Sequence, residues 1–207
     1  MAVVNGYCTV DELREQLGDA ATALPLANLE RAINATSRAI DLYCGHPLRR
    51  FWADAEVTSR EYRPDDPYEA DVADISSTSE LVIATDTAGD GGYATTWSSS
   101  DYQLEPLSVD VGATAYAWTR IVAVGDHTFS TGRRRASLRV TALHGWSAVP
   151  EQVTEACVIR AAAIFKRKES VLGVAGIGGF GEIRITRRDP DVIDLLHNFT
   201  RITVGAV

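Results

Sequence analysis

Apolar residues recur at helical spacing near both ends of the chain and lose that spacing in between. Leu29, Ile33, Thr36, Ile40 and Tyr43 alternate steps of four and three, which puts them on one helical face. Near the other end, Val153, Ala156, Cys157, Ala161, Ile164 and Phe165 form a second such stripe. Between the two, Gly, Pro, Asp and Ser clusters punctuate short β-prone runs. This order predicts an α+β fold: a helical core from both chain ends with an inserted antiparallel β-module. The corresponding division is residues 1–50 and 147–207 for the helical core, with a C-terminal arm at 173–207, and 51–146 for an acidic β-rich insertion.

Local signals sharpen this outline. Thr9-Val-Asp-Glu12 is a capping box that should open a short helix over about 10–17, closed by Gly18. A second helix begins near Pro25 and is stopped by Gly45 and Pro47. The predicted strands are 55–62, 80–85, 101–105, 116–124 and 136–143. Segment 63–79, with Pro64, Pro67 and several acids, reads as a loop, and 86–92 as a hairpin turn. Helix returns at Val149-Pro150-Glu151 and ends in the basic run Lys166-Arg-Lys168, which suits the negative end of a helix dipole. A glycine-rich stretch from Gly173 to Gly181 follows, then a short strand over Glu182–Thr186. A last helix is capped by Asp189-Pro190 and carries Val192, Ile193, Leu195, Leu196 and Phe199.

Charge narrows the functional classes. The 207 residues hold 20 basic and 28 acidic groups, a net charge of −8. The excess is all in the middle: 51–149 carries 15 acids and 7 bases, whereas the two ends nearly balance. Only two lysines are present, so a face that grips nucleic-acid phosphates is not expected. Cys8, Cys44 and Cys157 are odd in number and widely spaced, which reads as reduced core thiols rather than a disulfide framework. Cys44 with His46 supplies two zinc ligands, too few to close a site. The Asn34 and Asn198 sequons fall in predicted helices and are discounted. The N-terminal residues have no basic region and no long apolar run, so no signal peptide is expected. No stretch approaches the ~18 apolar residues of a membrane span.

Candidate motifs reduce to ordinary structure. Gly176-Ile-Gly178-Gly179-Phe180-Gly181 matches GxGxxG, but a helix precedes it and a strand follows. A dinucleotide site needs the reverse order, with phosphate on a helix N-terminus. The segment reads as a loop, either flexible or one that orders against a partner subunit. Asp86 to Gly92 lacks the calcium-loop ligands, since Ala88 and Trp97 stand at the third and twelfth positions. Arg133-Arg134-Arg135 sits in a predicted turn, as a solvated cluster or a contact to acidic groups. The four histidines are scattered, and no HExxH, GxSxG or P-loop occurs. No cofactor, metal or catalytic group is expected.

The order of several pieces is familiar. Cys8-Thr-Val-Asp-Glu-Leu13 leads into the Leu29–Cys44 helix and Gly45. Asp74-Ile-Ser, Thr85 to Trp97 and Asp101-Tyr-Gln-Leu come next. Then follow Gly145-Trp146 to Pro150-Glu151, Ser170 to Gly176, and Asp189-Pro190-Asp-Val. Across nearly the whole chain this succession resembles the head-to-tail adaptor (connector) proteins of tailed bacteriophages, particularly those of actinobacterial hosts. The resemblance implies a non-enzymatic virion protein that forms a ring, usually twelve-fold. Such a ring docks under the portal protein and extends the DNA channel toward a downstream neck or tail protein. Double-stranded DNA would pass through it without specific binding, and no membrane is involved. The C-terminal part, 173–207 here, would reach the portal. The alternatives are another neck or tail component, such as a stopper or terminator, and an enzyme or ligand-binding domain with an unrecognised site.

A closed ring needs two different complementary patches on each subunit. Residues 54–110 hold 14 acids and 2 bases, while 120–139 hold five arginines and one Asp. These segments are expected to face each other across neighbouring copies, or to leave an acidic channel wall that repels DNA. The candidate subunit or portal contacts are Arg133, Arg134, Arg135, Gly176, Gly178, Gly179, Phe180, Leu195, Leu196 and Phe199.

Overall fold

The computed structural model describes residues 2–18, 25–45, 50–52, 56–108, 115–132, 134–169, 174–175, 183–184 and 189–201. The chain forms two compact units, Met1–Arg49 with Val149–Val207, and Arg50–Ala148. The fold is α+β, a helical core from both chain ends and an inserted antiparallel β-module, as the sequence pattern predicts.

In the helical unit, α1 spans Val10–Leu17 and α2 Leu26–Tyr43. The predicted capping box is present: Thr9 Oγ1 accepts from the Glu12 amide at 3.2 Å, and Glu12 Oε2 accepts from the Thr9 amide at 2.7 Å. Gly18 closes α1 at φ +84°, a left-handed value that glycine adopts without strain. Along α2 the buried positions are Leu29, Ala32, Ile33, Thr36, Ser37, Ile40 and Asp41, the face that the spacing predicts. Helix α3, Glu151–Glu169, is the hub, packing against α1, α2 and α4. Its small buried residues, Ala156, Cys157, Ala161 and Ala162, allow close approach, while Val153 and Phe165 supply bulk. Helix α4 spans Pro190–Leu196, with Asp189 accepting from the Asp191 amide at 3.1 Å, and runs into a 3-10 turn at His197–Phe199. The chain then returns to the end of α2, where the Arg201 amide donates to the Cys44 carbonyl at 3.1 Å. Each Leu, Ile or Phe removed from water in this core contributes about 1.5–3 kcal/mol.

The β-module holds a six-stranded sheet built from β1 (Thr58–Tyr62), β2 (Glu69–Thr85), β3 (Thr95–Trp97), β4 (Tyr102–Glu105), β5 (Trp118–Ala123) and β6 (Leu138–His144). Its order is β1-β6-β2-β5-β4, and β3 also pairs with β2. Strand β2 is the spine. Its first part pairs with β5 (Ala70↔Ile121) and its last part with β6 and β3 (Ile83↔Val140 and Ile83↔Trp97). Ile75 marks the changeover, opposite both Trp118 and His144. Side chains alternate in β6, burying Leu138, Val140, Ala142 and His144. The core adds Ala70, Val72, Ile75, Ile83, Ile121 and Trp97, which stacks on Phe129 with ring centroids 4.8 Å apart.

The predicted loop 63–79 is corrected here: strand begins at Glu69 and runs 17 residues to Thr85. Acidic composition hides the strand, because the buried row includes Asp74, whose charge is met by Arg50. Register shifts between Asp71 and Ile75, and again before Ser77 and Val82, also break the alternation. In the glycine-rich C-terminal stretch, β7 (Val174–Ala175) pairs antiparallel with β8 (Ile183–Arg184), Val174 opposite Arg184. The sequence pattern predicts only the second of these strands.

Candidate functional site

Strand register brings acids and arginines together inside one chain. On β5, Arg120 stands opposite Asp71 of β2 and Glu105 of β4. Its Nε donates to Asp71 Oδ1 at 2.9 Å and its Nη1 to Glu69 Oε2 at 3.0 Å, with Glu105 Oε2 at 3.9 Å. The hydrogen bond it donates to Asp71 and the surrounding acids hold this guanidinium even more firmly charged than usual. One arginine thus answers three acids, leaving the patch net negative. Beside it is an open notch lined by Arg63, Pro64, Asp65, Asp66, Glu69, Asp71 and Arg120.

The second pairing joins β1 and β6. Arg139 is opposite Glu61, donates from Nη2 to Glu61 Oε1 at 2.8 Å, and lies 3.9 Å over the Tyr93 ring. The hydrogen bond from Arg139 lowers the Glu61 pKa from its ordinary 4.5. The third contact fixes the loop ahead of β6. Arg135 Nη1 donates to the Asp90 carbonyl at 3.2 Å, and Arg63 Nη1 donates to the Arg134 carbonyl at 3.3 Å. The Asp90 side belongs to the predicted hairpin turn, which Asp86 organises by accepting from the Gly89 and Gly91 amides at 2.6 and 2.7 Å. The side chains of Arg134 and Arg135 are exposed.

The acidic segment 54–110 and the arginine segment 120–139, expected to meet across subunits, therefore already meet within one chain at Arg120 and Arg139. Exposed pairs of this kind add about 0–1 kcal/mol each, so they set local orientation more than stability. Arg133, Gly176, Gly178, Gly179 and Phe180 lie outside the described residues.

The three apolar candidates of the C-terminal helix separate. Leu196 is buried, together with Val192, and holds α4 to its own core. Leu195 and Phe199 are partly exposed and line a surface groove with Gln152, Asp191, Asp194 and Asn198. Its lining thus combines two apolar side chains, Leu195 and Phe199, with two acids, Asp191 and Asp194.

Buried charge was not legible in the sequence. Arg50 pairs with Asp74 at 2.8 Å, at 4% and 1% exposure. Phe51 packs on Trp146 with centroids 5.6 Å apart, and the Gly145 amide donates to the Asp74 carbonyl at 2.7 Å. These contacts clasp the entry and exit of the β-module to its central strand. In the helical unit, buried Asp41 is met by Arg38 at 3.1 Å and by the Tyr7 hydroxyl. Among the described residues, no group of three or more His, Cys, Asp and Glu is arranged to hold a metal ion. Nor is any described helix long and apolar enough to cross a membrane.

No family model matches the chain, and no curated protein matches it. Two solved structures share its fold along the whole length. One is a chain of the neck of an empty gene transfer agent (GTA) particle, computed with C6 symmetry. It is 18% identical, with a TM-score of 0.55, and the match covers 100% of this chain and 96% of that one. The other is a chain of the virion of a native GTA particle, 21% identical, with a TM-score of 0.51 and the same coverage.

Proposed function

We propose that this chain is a structural, non-enzymatic neck component of a tailed-phage or phage-like particle: a head-to-tail adaptor that forms a ring between portal and tail. The observation that carries the reading is the likeness to a GTA neck chain, which runs through the helical ends and the β-module alike. The order of sequence segments supports it independently. A ring of twelve copies also obeys sixfold symmetry, so the C6 neck of the similar particle is compatible with that number.

In this reading the helical core (1–50 and 147–207) is the ring-building part, and its C-terminal arm (173–207) contacts the portal. The groove holding Leu195 and Phe199 supports that role, because it offers apolar surface on the arm itself. The β-insertion (51–146) lies toward neighbours or the channel, and its net-negative patch around Arg120 would repel passing DNA. Assembly takes place in the bacterial host cytoplasm and the finished protein sits in the virion neck.

Deleting the gene from its phage or prophage tests the role. An adaptor's loss leaves DNA-filled or emptied heads and separate, complete tails in lysates. Normal tailed particles would overturn the reading.

A further inference from the structure

Two cysteines 149 positions apart in the chain end side by side. Cys8 Sγ lies 3.3 Å from Cys157 Sγ. Both side chains are buried and both are thiols. The backbone is pinned on each side. Cys157 sits mid-way along α3, on its buried stripe. The segment before Cys8 is tied to α2 by hydrogen bonds that include Val4 amide to Asn34 Oδ1 at 2.9 Å, Tyr7 amide to Ser37 Oγ at 3.0 Å, and Arg38 Nη2 to the Asn5 carbonyl at 2.9 Å. The encounter of the two sulfurs is therefore built into the packing of the helical unit. Ser37 Oγ lies 3.6 Å from Cys157 Sγ, so polar groups border the pair.

The two thiols differ. Hydrogen bonding from the Cys8 thiol lowers the Cys157 pKa, and the Ser37 hydroxyl and the Tyr7 and Cys8 amides add to this. The same contact, with burial, pushes the Cys8 thiol up. Cys157 is thus the better nucleophile, with a second sulfur within reach of it.

We propose that Cys8 and Cys157 are a redox couple, a dithiol that closes to an intramolecular disulfide when a peroxide reaches it. A peroxide is the oxidant considered because it is small enough to enter a buried site. The Cys157 thiolate attacks one peroxide oxygen, the O–O bond breaks, and hydroxide leaves and is protonated to water. Cys157 is then a sulfenic acid. Cys8 sulfur attacks Cys157 sulfur, the S–S bond forms, and the displaced hydroxide takes the Cys8 proton as a second water. Two thiols lose two electrons and one peroxide gains them. Closure brings the sulfurs from 3.3 Å to about 2.05 Å and fixes the segment ahead of α1 to α3. Nothing in this step depends on assembly into a ring.

The test uses the full chain, reduced, desalted and treated with stoichiometric hydrogen peroxide. Thiols are then counted after denaturation and the intact mass is measured. Of the three cysteines, Cys44 alone should keep its thiol. The mass should fall by about 2 Da, and the melting temperature should rise by several degrees. Digestion without reductant should yield a linked peptide containing Cys8 and Cys157, and Cys44→Ser should close equally well. Cys8→Ser and Cys157→Ser should not close. Three surviving thiols, a mass gain from over-oxidised sulfur, or linkage between chains instead of within one would overturn the couple. The wild-type peptide map decides the matter even where a serine variant fails to fold.

Discussion

Arg50 reaches Asp74 at 2.8 Å with both side chains almost sealed from water. The pair joins the entry of the β-module to its central strand. A buried charge stripped of its partner is left unanswered in a low-dielectric site, so Arg50→Met or Asp74→Leu alone should cost about 3–5 kcal/mol. The double variant should recover part of that loss. Denaturant titration of the four proteins checks the cycle, and additive losses would show that the two residues act independently.

Gly45 closes α2 at φ +81°, and a Cβ there would stand 2.6 Å from the Arg201 carbonyl oxygen. Backbone cannot swing aside as a side chain does. Gly45→Ala should therefore cost more than the ~1–2 kcal/mol of a left-handed residue alone. It should also loosen the return of the chain after α4. Hydrogen exchange at the Arg201 amide, which donates to Cys44, reads this directly.

Leu196 and Leu195 are neighbours with opposite surroundings. Leu196→Ala should lose about 2–5 kcal/mol of stability, as expected of a filled core site. Leu195→Ala and Phe199→Ala should leave melting nearly unchanged and weaken portal binding instead. Equal stability losses at Leu195 and Leu196 would remove the case for a docking groove.

Acid should weaken the β-module. Asp101 accepts from Ser98 Oγ at 2.6 Å and from the Ser98 amide at 2.7 Å, and the Ser98 side chain lowers its pKa from the ordinary 3.8. Glu61 is lowered by Arg139. A carboxylate held down in the folded state stabilises fully above its unfolded value and loses that contribution as pH falls through its folded value. Melting temperature should thus be flat above the ordinary carboxylate range and decline below it. The decline should be shallower in Asp101→Asn and Glu61→Gln.

The helical ends were legible because their signals are local. Thr9 and Glu12 are three residues apart, and Leu29, Ile33 and Ile40 repeat within one helix. Strand β2 was partly hidden because its burial depends on distant residues. Asp74 is tolerable inside only because Arg50 arrives from 24 positions away. Glu80, at φ +60°, and the register shifts around it break the period-two pattern that exposes a strand. Strand β3, three residues long, carries too little pattern to register. In the assembly candidates, charge counts flagged two segments that pair within one chain. Register then showed that Arg120 and Arg139 find their acids within the chain, leaving Arg133, Arg134 and Arg135 as the proposed contacts to a neighbour.

Electron microscopy of the purified chain mixed with its portal tests the ring directly. The account predicts a closed ring, twelve copies around one axis, seated on the portal. It also predicts that replacing Arg133, Arg134 and Arg135 with Glu weakens or abolishes that ring while the folded monomer persists. A chain that stays a compact monomer or dimer with portal present would contradict the adaptor reading.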